Sequence, residues 1–157
     1  MGAKDLKHNE GIPLVDREEF AQADGIIFGL PTRYGMMCAQ MKAFFDSTGG
    51  LWSKGALVGK TAGTFFSSAC QGGGQETTAL TAVTQFAHHG MIYVPAGFTF
   101  GKLQFDNSFA HGGSAYGPGT LANGDGSRMP HELELEFAEK YGEYFATTTA
   151  ALKKGKN

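Results

Sequence analysis

Gly25-Ile26-Ile27-Phe28-Gly29-Leu30 followed by Pro31-Thr32-Arg33-Tyr34-Gly35 decides the fold, because an apolar strand gives way there to a helical pattern. Met37, Met41, Phe44 and Phe45 recur at helical spacing, so residues 36–48 read as a helix with one buried face. In an open α/β sheet such a junction lies at the carboxyl end of a strand, where ligands bind. A second junction follows. The strand 61–66 runs into Ser67-Ser68-Ala69-Cys70-Gln71-Gly72-Gly73-Gly74, then into a helix over 76–89 with Leu80, Val83 and Ala87 inward. Two polar, glycine-rich strand ends side by side predict a cleft.

Working outward, Asp16 caps a short helix from Arg17 to Ala23, with Glu19 at the capping-box position. Gly49 to Gly55 reads as a loop carrying the only tryptophan, Trp52. A third strand, Met91 to Val94, ends at Pro95-Ala96-Gly97-Phe98. Residues 1–15 read as a tail and 99–130 as a long aperiodic loop of the functional kind. Phe137, Tyr141, Tyr144, Phe145, Thr148 and Leu152 mark a final amphipathic helix. The alternation of strands and helices predicts one α/β domain over 1–157 with a doubly wound parallel sheet, three strands being recognisable.

The composition narrows the function. A chain of 157 residues holds one core, and a net charge of −2 offers no basic field for nucleic acid. No apolar run reaches transmembrane length and no signal-peptide core opens the chain, so a cytoplasmic protein is expected. Two cysteines, Cys38 and Cys70, suit a reducing compartment. No cluster has metal-ligand spacing, and the glycines after Cys70 lack the Gly-Lys-Ser/Thr of a phosphate loop.

Several residues carry chemistry on type and position. Arg33 is a cation at a strand end that suits the electron-rich edge of a planar heterocycle; an ordinary surface arginine on a turn is the alternative. The loop from Ser67 to Gly74 turns hydroxyls, a thiol and close-approaching backbone N–H groups toward a ligand, or else serves only as a flexible turn. Tyr34, Trp52 and Phe98 suit an aromatic box over a planar ligand, against ordinary core packing. Cys70 with His88 or His89 as base would make a thiol hydrolase, but no Asp or Asn is placed to orient the imidazole, and His88-His89 also suits a helix end.

Pro31-Thr32-Arg33-Tyr34-Gly35, Thr48-Gly49-Gly50-Leu51-Trp52, Gly72 to Thr78, His88-His89-Gly90-Met91 and Gly124-Asp125-Gly126-Ser127-Arg128 occur in an order and spacing that resembles the WrbA family, the type IV NAD(P)H:quinone oxidoreductases. The resemblance implies a flavodoxin-like fold, FMN as cofactor, NAD(P)H as electron donor, a quinone substrate, and a homo-oligomer, dimer or tetramer, with each flavin site near a subunit boundary. It places Thr32, Arg33 and Tyr34 beside the flavin ring, with Ser67, Ser68, Ala69, Cys70, Gln71 and Gly72 in the second flavin loop. His88 matches a flavin-contacting histidine, Trp52 the substrate-side tryptophan, and Phe98 stands where relatives often carry tyrosine. Ala69 and Cys70 depart from the glycine and hydroxyl residues usual in that loop. The family's opening strand and FMN phosphate loop have no counterpart upstream of Gly25, so the flavodoxin-like domain is expected to be N-terminally incomplete. Two functions follow: FMN-dependent quinone reduction, or a non-catalytic truncated member that assembles with full-length subunits.

Overall fold

The computed structural model describes residues 11–155; of the expected tail over 1–15, residues 1–10 lie outside the described residues, and 11–15 are exposed without regular structure. Helix α1, Arg17–Gln22, begins where the Asp16 carboxylate accepts the N–H groups of Glu18 and Glu19 at 2.7 and 3.1 Å. That cap satisfies two donors the first turn leaves open. Strand β1, Gly25–Pro31, lies parallel to β2, Thr61–Ser68, with Gly25 opposite Thr61 and Pro31 opposite Ser67. Between them run α2, Ala39–Asp46, and α3, Gly49–Ser53. The stretch expected as a loop around Trp52 is thus helical, its start fixed by the Leu51 and Trp52 N–H groups donating to the Thr48 carbonyl at 2.9 and 3.0 Å.

Helix α4, Gln75–His88, leads into β3, Ile92–Tyr93, and then α5, Gly101–Gln104, β4, Gly119–Leu121, and α6, Glu132–Lys154. Both β3 and β4 pair in parallel with β2, on residues 61–62 and 66–68 respectively. They occupy successive parts of one strand edge, and the chain between them leaves the sheet and returns. The stretch 99–130, which shows no period, therefore holds a helix and a strand. Its return is stitched to β2 by the Thr64 hydroxyl donating to the Tyr116 carbonyl at 3.1 Å, and Tyr93 OH donates to the same carbonyl.

Helices cover both faces of the sheet. On one face Phe20, Phe45, Ala82 and Phe86 pack on Phe28, Leu30 and Ala62; on the other, Leu103, Phe137, Tyr141 and Phe145 pack with Val94 and Ile27. The buried stripe of α4 is Thr78, Ala79, Ala82 and Phe86; of the expected stripe Val83 is half-buried against the same core, while Leu80 and Ala87 are exposed. Along α6, Phe137, Tyr141 and Phe145 are buried as the spacing predicts, while Tyr144 is exposed. Because every strand is parallel, the ends of β1, β2 and β4 share one rim of the sheet, and the site is built there.

Candidate functional site

The first rim loop is a two-residue hairpin turn. Arg33 and Met36 exchange both backbone hydrogen bonds, at 2.8 and 3.1 Å, across Tyr34 at φ 54° and Gly35 at φ 75°. Two positive φ values mark a type I′ turn, in which a tyrosine is out of place on conformational grounds alone. Its side chain stands fully exposed. Arg33, also exposed, donates to the Thr32 carbonyl at 2.9 Å, which turns the guanidinium back over its own turn.

The second loop is locked to the first. The Thr32 N–H donates to the Ser67 carbonyl at 2.8 Å, and the Thr32 and Thr78 hydroxyls meet at 3.1 Å. Since the Thr78 hydroxyl donates its proton to the Gly74 carbonyl at 2.8 Å, Thr32 is the donor of that pair. Gly74, at φ 94°, has its absent Cβ position 2.8 Å from the Gly35 Cα, so the two glycines let the loops touch backbone to backbone. The loops touch at these two glycines, and a cleft of about 420 Å³ opens along the second loop, between Cys70 to Thr77 and a third wall formed by His111, Gly113, Ser114 and Leu121.

Of the residues expected to contact a ligand, Cys70, Gln71 and Gly72 line this cleft. Ser67 is half-buried, Ser68 buried and Ala69 exposed at the end of β2, and Thr32, Arg33 and Tyr34 form the neighbouring rim. Ser68 donates to the Cys70 carbonyl at 3.0 Å, which the Gly73 N–H also reaches at 3.1 Å. With that carbonyl occupied, the loop keeps the N–H groups of Gln71 and Gly72 unspent among the described residues. The third wall comes from the 99–130 stretch expected to be functional, although its individual residues are not singled out because that stretch has no periodicity. Its anchor is Glu134, whose buried carboxylate accepts from the Gly112 N–H, the Thr120 hydroxyl, the His131 N–H and the Arg128 guanidinium. Burial alone would raise its pKa, but these donors hold it below the ordinary carboxylate range.

Trp52 and His88 line a different cleft of about 350 Å³, with Phe45, Thr48, Gln85 and His89. The first cleft meets α4 at Gln75 to Thr77 and the second at Thr84 to His88, so about 10 Å of helix separates their linings, although His88 itself stands about 20 Å from Gln75. Cys70 lines the first cleft and His88 and His89 the second, so neither of those histidines is placed beside the thiol; the histidine that shares a cleft with Cys70 is His111. Phe98, exposed, stacks on Phe105 with ring centroids 5.5 Å apart and lines neither cleft. Tyr34, Trp52 and Phe98 are therefore not assembled into one box by a single chain. His89 is buried, its Nε2 2.9 Å from the Thr48 hydroxyl and its Nδ1 without a partner.

Residues 15–104 match the NADPH-dependent FMN reductase family. Among curated proteins, the chain is 60% identical over 142 residues to the quinone-oxidoreductase QR2 of Triphysaria versicolor, covering 90% of this chain and 69% of that protein. It is 55% identical over 149 residues to a probable NAD(P)H dehydrogenase (quinone), FQR1-like 2, of Arabidopsis thaliana, covering 95% of this chain and 53% of that one. An NAD(P)H dehydrogenase (quinone) of Geobacter metallireducens is 51% identical over 143 residues, 70% of its length. Among solved structures, the flavodoxin, WrbA-like protein from Agrobacterium tumefaciens superposes with a TM-score of 0.63 at 25% identity, over 83% of this chain and 69% of that one. The fold is flavodoxin-like.

Proposed function

The chain belongs to the NADPH-dependent FMN reductase family, and from that premise we propose that it carries out FMN-dependent two-electron reduction of quinones by NAD(P)H. One observation of the structure carries the reading. Three chain segments converge at the carboxyl rim of a parallel sheet on a cleft whose volume lies within the roughly 300–1,000 Å³ of small-molecule sites.

The residues at that rim fit the polar edge of a flavin. Unspent N–H groups at Gln71 and Gly72 suit the carbonyl oxygens of a pyrimidine-like ring, the glycines permit close backbone approach, and Arg33 supplies a positive charge nearby. FMN, when bound, supplies the redox chemistry, taking hydride from NAD(P)H and passing two electrons to the quinone. The protein's part is to bind, orient and exclude water, which is why no acid–base dyad is needed. Thr32, Arg33, Tyr34 and the loop from Ser67 to Gly72 hold the ring, and Arg33 with the loop N–H groups favours negative charge on its pyrimidine side.

His88 contacts the flavin, and Trp52, Tyr34 and Phe98 serve the face on which nicotinamide and quinone exchange. Since Trp52 and His88 line a cleft separate from the rim cleft, they reach it from a neighbouring copy in a homo-oligomer. Both cysteines are free thiols, in keeping with a reducing cytoplasmic setting. No helix among the described residues is long and apolar enough to cross a membrane. The test is to add FMN to purified protein, follow quenching of flavin fluorescence, and then assay NADH and NADPH oxidation with a soluble quinone. Binding with quinone-dependent oxidation supports the reading. Absence of both points to the non-catalytic member that assembles with other subunits.

A further inference from the structure

Gln75 is the first residue of α4 and its side chain faces three other segments at once. Its Nε2 donates to the Ser68 hydroxyl at 3.0 Å, at the end of β2, and to the Thr120 carbonyl at 2.8 Å, in β4. Its Oε1 accepts the Gly113 N–H at 2.8 Å, in the third wall of the rim cleft. A primary amide has two donors and one strong acceptor, and all are used. The space for it is kept open by Gly119, where a Cβ would stand 2.4 Å from Oε1.

Resting on the flavin-site reading above, we propose that Gln75 is a positioning residue that sets the shape of the rim cleft by tying the second loop, β4 and the Gly113 wall to one amide. The effect propagates by a relay. Ser68 accepts from Gln75 and donates to the Cys70 carbonyl, which holds that carbonyl away from a ligand and leaves the Gln71 and Gly72 N–H groups free to meet one. On the other side, the amide holds Gly113, at φ 89°, against β4. No other side chain satisfies this set. Leucine leaves the Gly113 N–H and the Thr120 carbonyl unpaired. Glutamate in its charged form has no proton for Thr120 or Ser68, whereas protonated glutamic acid restores one donor while still accepting from Gly113.

That difference gives the test a signature a merely structural role would not produce. Gln75→Glu and Gln75→Leu are compared with wild type in FMN titrations at about pH 8 and about pH 5, and each variant is expressed as a ratio to wild type at the same pH. The titratable groups around the amide are Glu76 on α4, Cys70 in the second loop, His111 in the third wall, and the Arg128–Glu134 pair bonded to Thr120 and Gly112. The ratio removes their contribution and that of the flavin phosphate. At pH 8 both variants are expected to bind FMN at least about tenfold more weakly than wild type. At pH 5, Gln75→Glu recovers to within about threefold, because the Thr120 carbonyl and the partly buried site raise its pKa, while Gln75→Leu does not recover. Affinity within about threefold of wild type for both variants at pH 8, or no recovery of Gln75→Glu at pH 5, overturns the proposal. A second readout needs no flavin: amide exchange at Gly113, corrected for intrinsic rate, accelerates at least about tenfold in Gln75→Leu. If wild type itself fails to bind FMN, the functional reading falls. The exchange result then decides the positioning role alone, and unchanged protection at Gly113 overturns it.

Discussion

Tyr34 holds a left-handed backbone conformation at φ 54° with its ring entirely in solvent, so no contact of that ring among the described residues repays the strain. Strain of this kind at a ligand rim is expected to serve binding. Replacing it with asparagine, which tolerates that conformation, should stabilise the protein by about 0.5–1 kcal/mol and raise the melting temperature by about 1–4 °C. The same change should weaken flavin or substrate stacking, so calorimetry and FMN titration are expected to move in opposite directions. His89 is a second residue whose state has a measurable consequence. The Thr48 hydroxyl gives its proton to the Phe45 carbonyl, so His89 Nε2 carries the hydrogen and Nδ1 is bare and buried. Burial, with His88 adding repulsion, lowers its pKa below 6.5. The unfolded chain therefore takes up a proton at this position before the native one does, and stability is lost as pH falls below about 6.5 toward the native value. Urea midpoints at pH 7.5, 6 and 5 should fall more steeply for wild type than for His89→Gln, which cannot ionise; parallel slopes would remove His89 from the acid response.

The loop and helix elements that make the rim depend on glycine in two distinguishable ways. Gly72 and Gly74 both have positive φ, at 67° and 94°, but a Cβ at Gly72 meets nothing within 4 Å, while at Gly74 it meets the Gly35 backbone at 2.8 Å. Gly72→Ala should therefore cost about 1 kcal/mol for conformation alone, and Gly74→Ala about 1–3 kcal/mol more because two backbones must part. Equal costs by urea denaturation would show that the loops do not lean on each other. Much of this was legible in the chain. Ile26 to Leu30, the strand at 61–66 and the stripe from Phe137 to Phe145 are strongly periodic and bounded by turn residues, and all form where expected. The face of α4 was legible only in part: Val83 packs half-buried against the core as expected, but the fully buried column is Ala79, Ala82 and Phe86 while Leu80 and Ala87 are exposed, both columns having helical spacing. Burial of the Phe86 ring against Phe28 decides between them. Strand β4 is three residues long and exists because β2 offers it a partner, which no local pattern encodes. The residues of the third wall were hidden for a related reason: Glu134 gathers Gly112 and Thr120 from 22 and 14 residues away, with Arg128 six residues away, contacts that no local period encodes.

At the scale of the molecule, the separation of the two clefts is the feature that tests how the proposed activity is organised. Trp52 and His88 share one cleft and the glycine loops shape the other, with the middle of α4, residues 78–83, between them. A single chain does not merge the two clefts by side-chain rotation, because the stretch of α4 between them is packed along the sheet through Ala79 and Ala82. If both clefts act on one flavin, each site takes its loops from one subunit and its tryptophan from another. The consequence is complementation. Arg33→Ala should cost FMN binding about 1.5–3 kcal/mol through loss of a charged contact, and Trp52→Ala should impair quinone turnover while sparing FMN affinity. In oligomers assembled from a 1:1 mixture of the two variants, random pairing gives about one site in four with intact loops and an intact tryptophan. Quinone reductase activity of the mixture should then rise clearly above the mean of the two parents, with mixed oligomers confirmed by native mass spectrometry. Activity equal to that mean, in verified mixed oligomers, would place both residues in the service of their own chain's site and refute the shared arrangement.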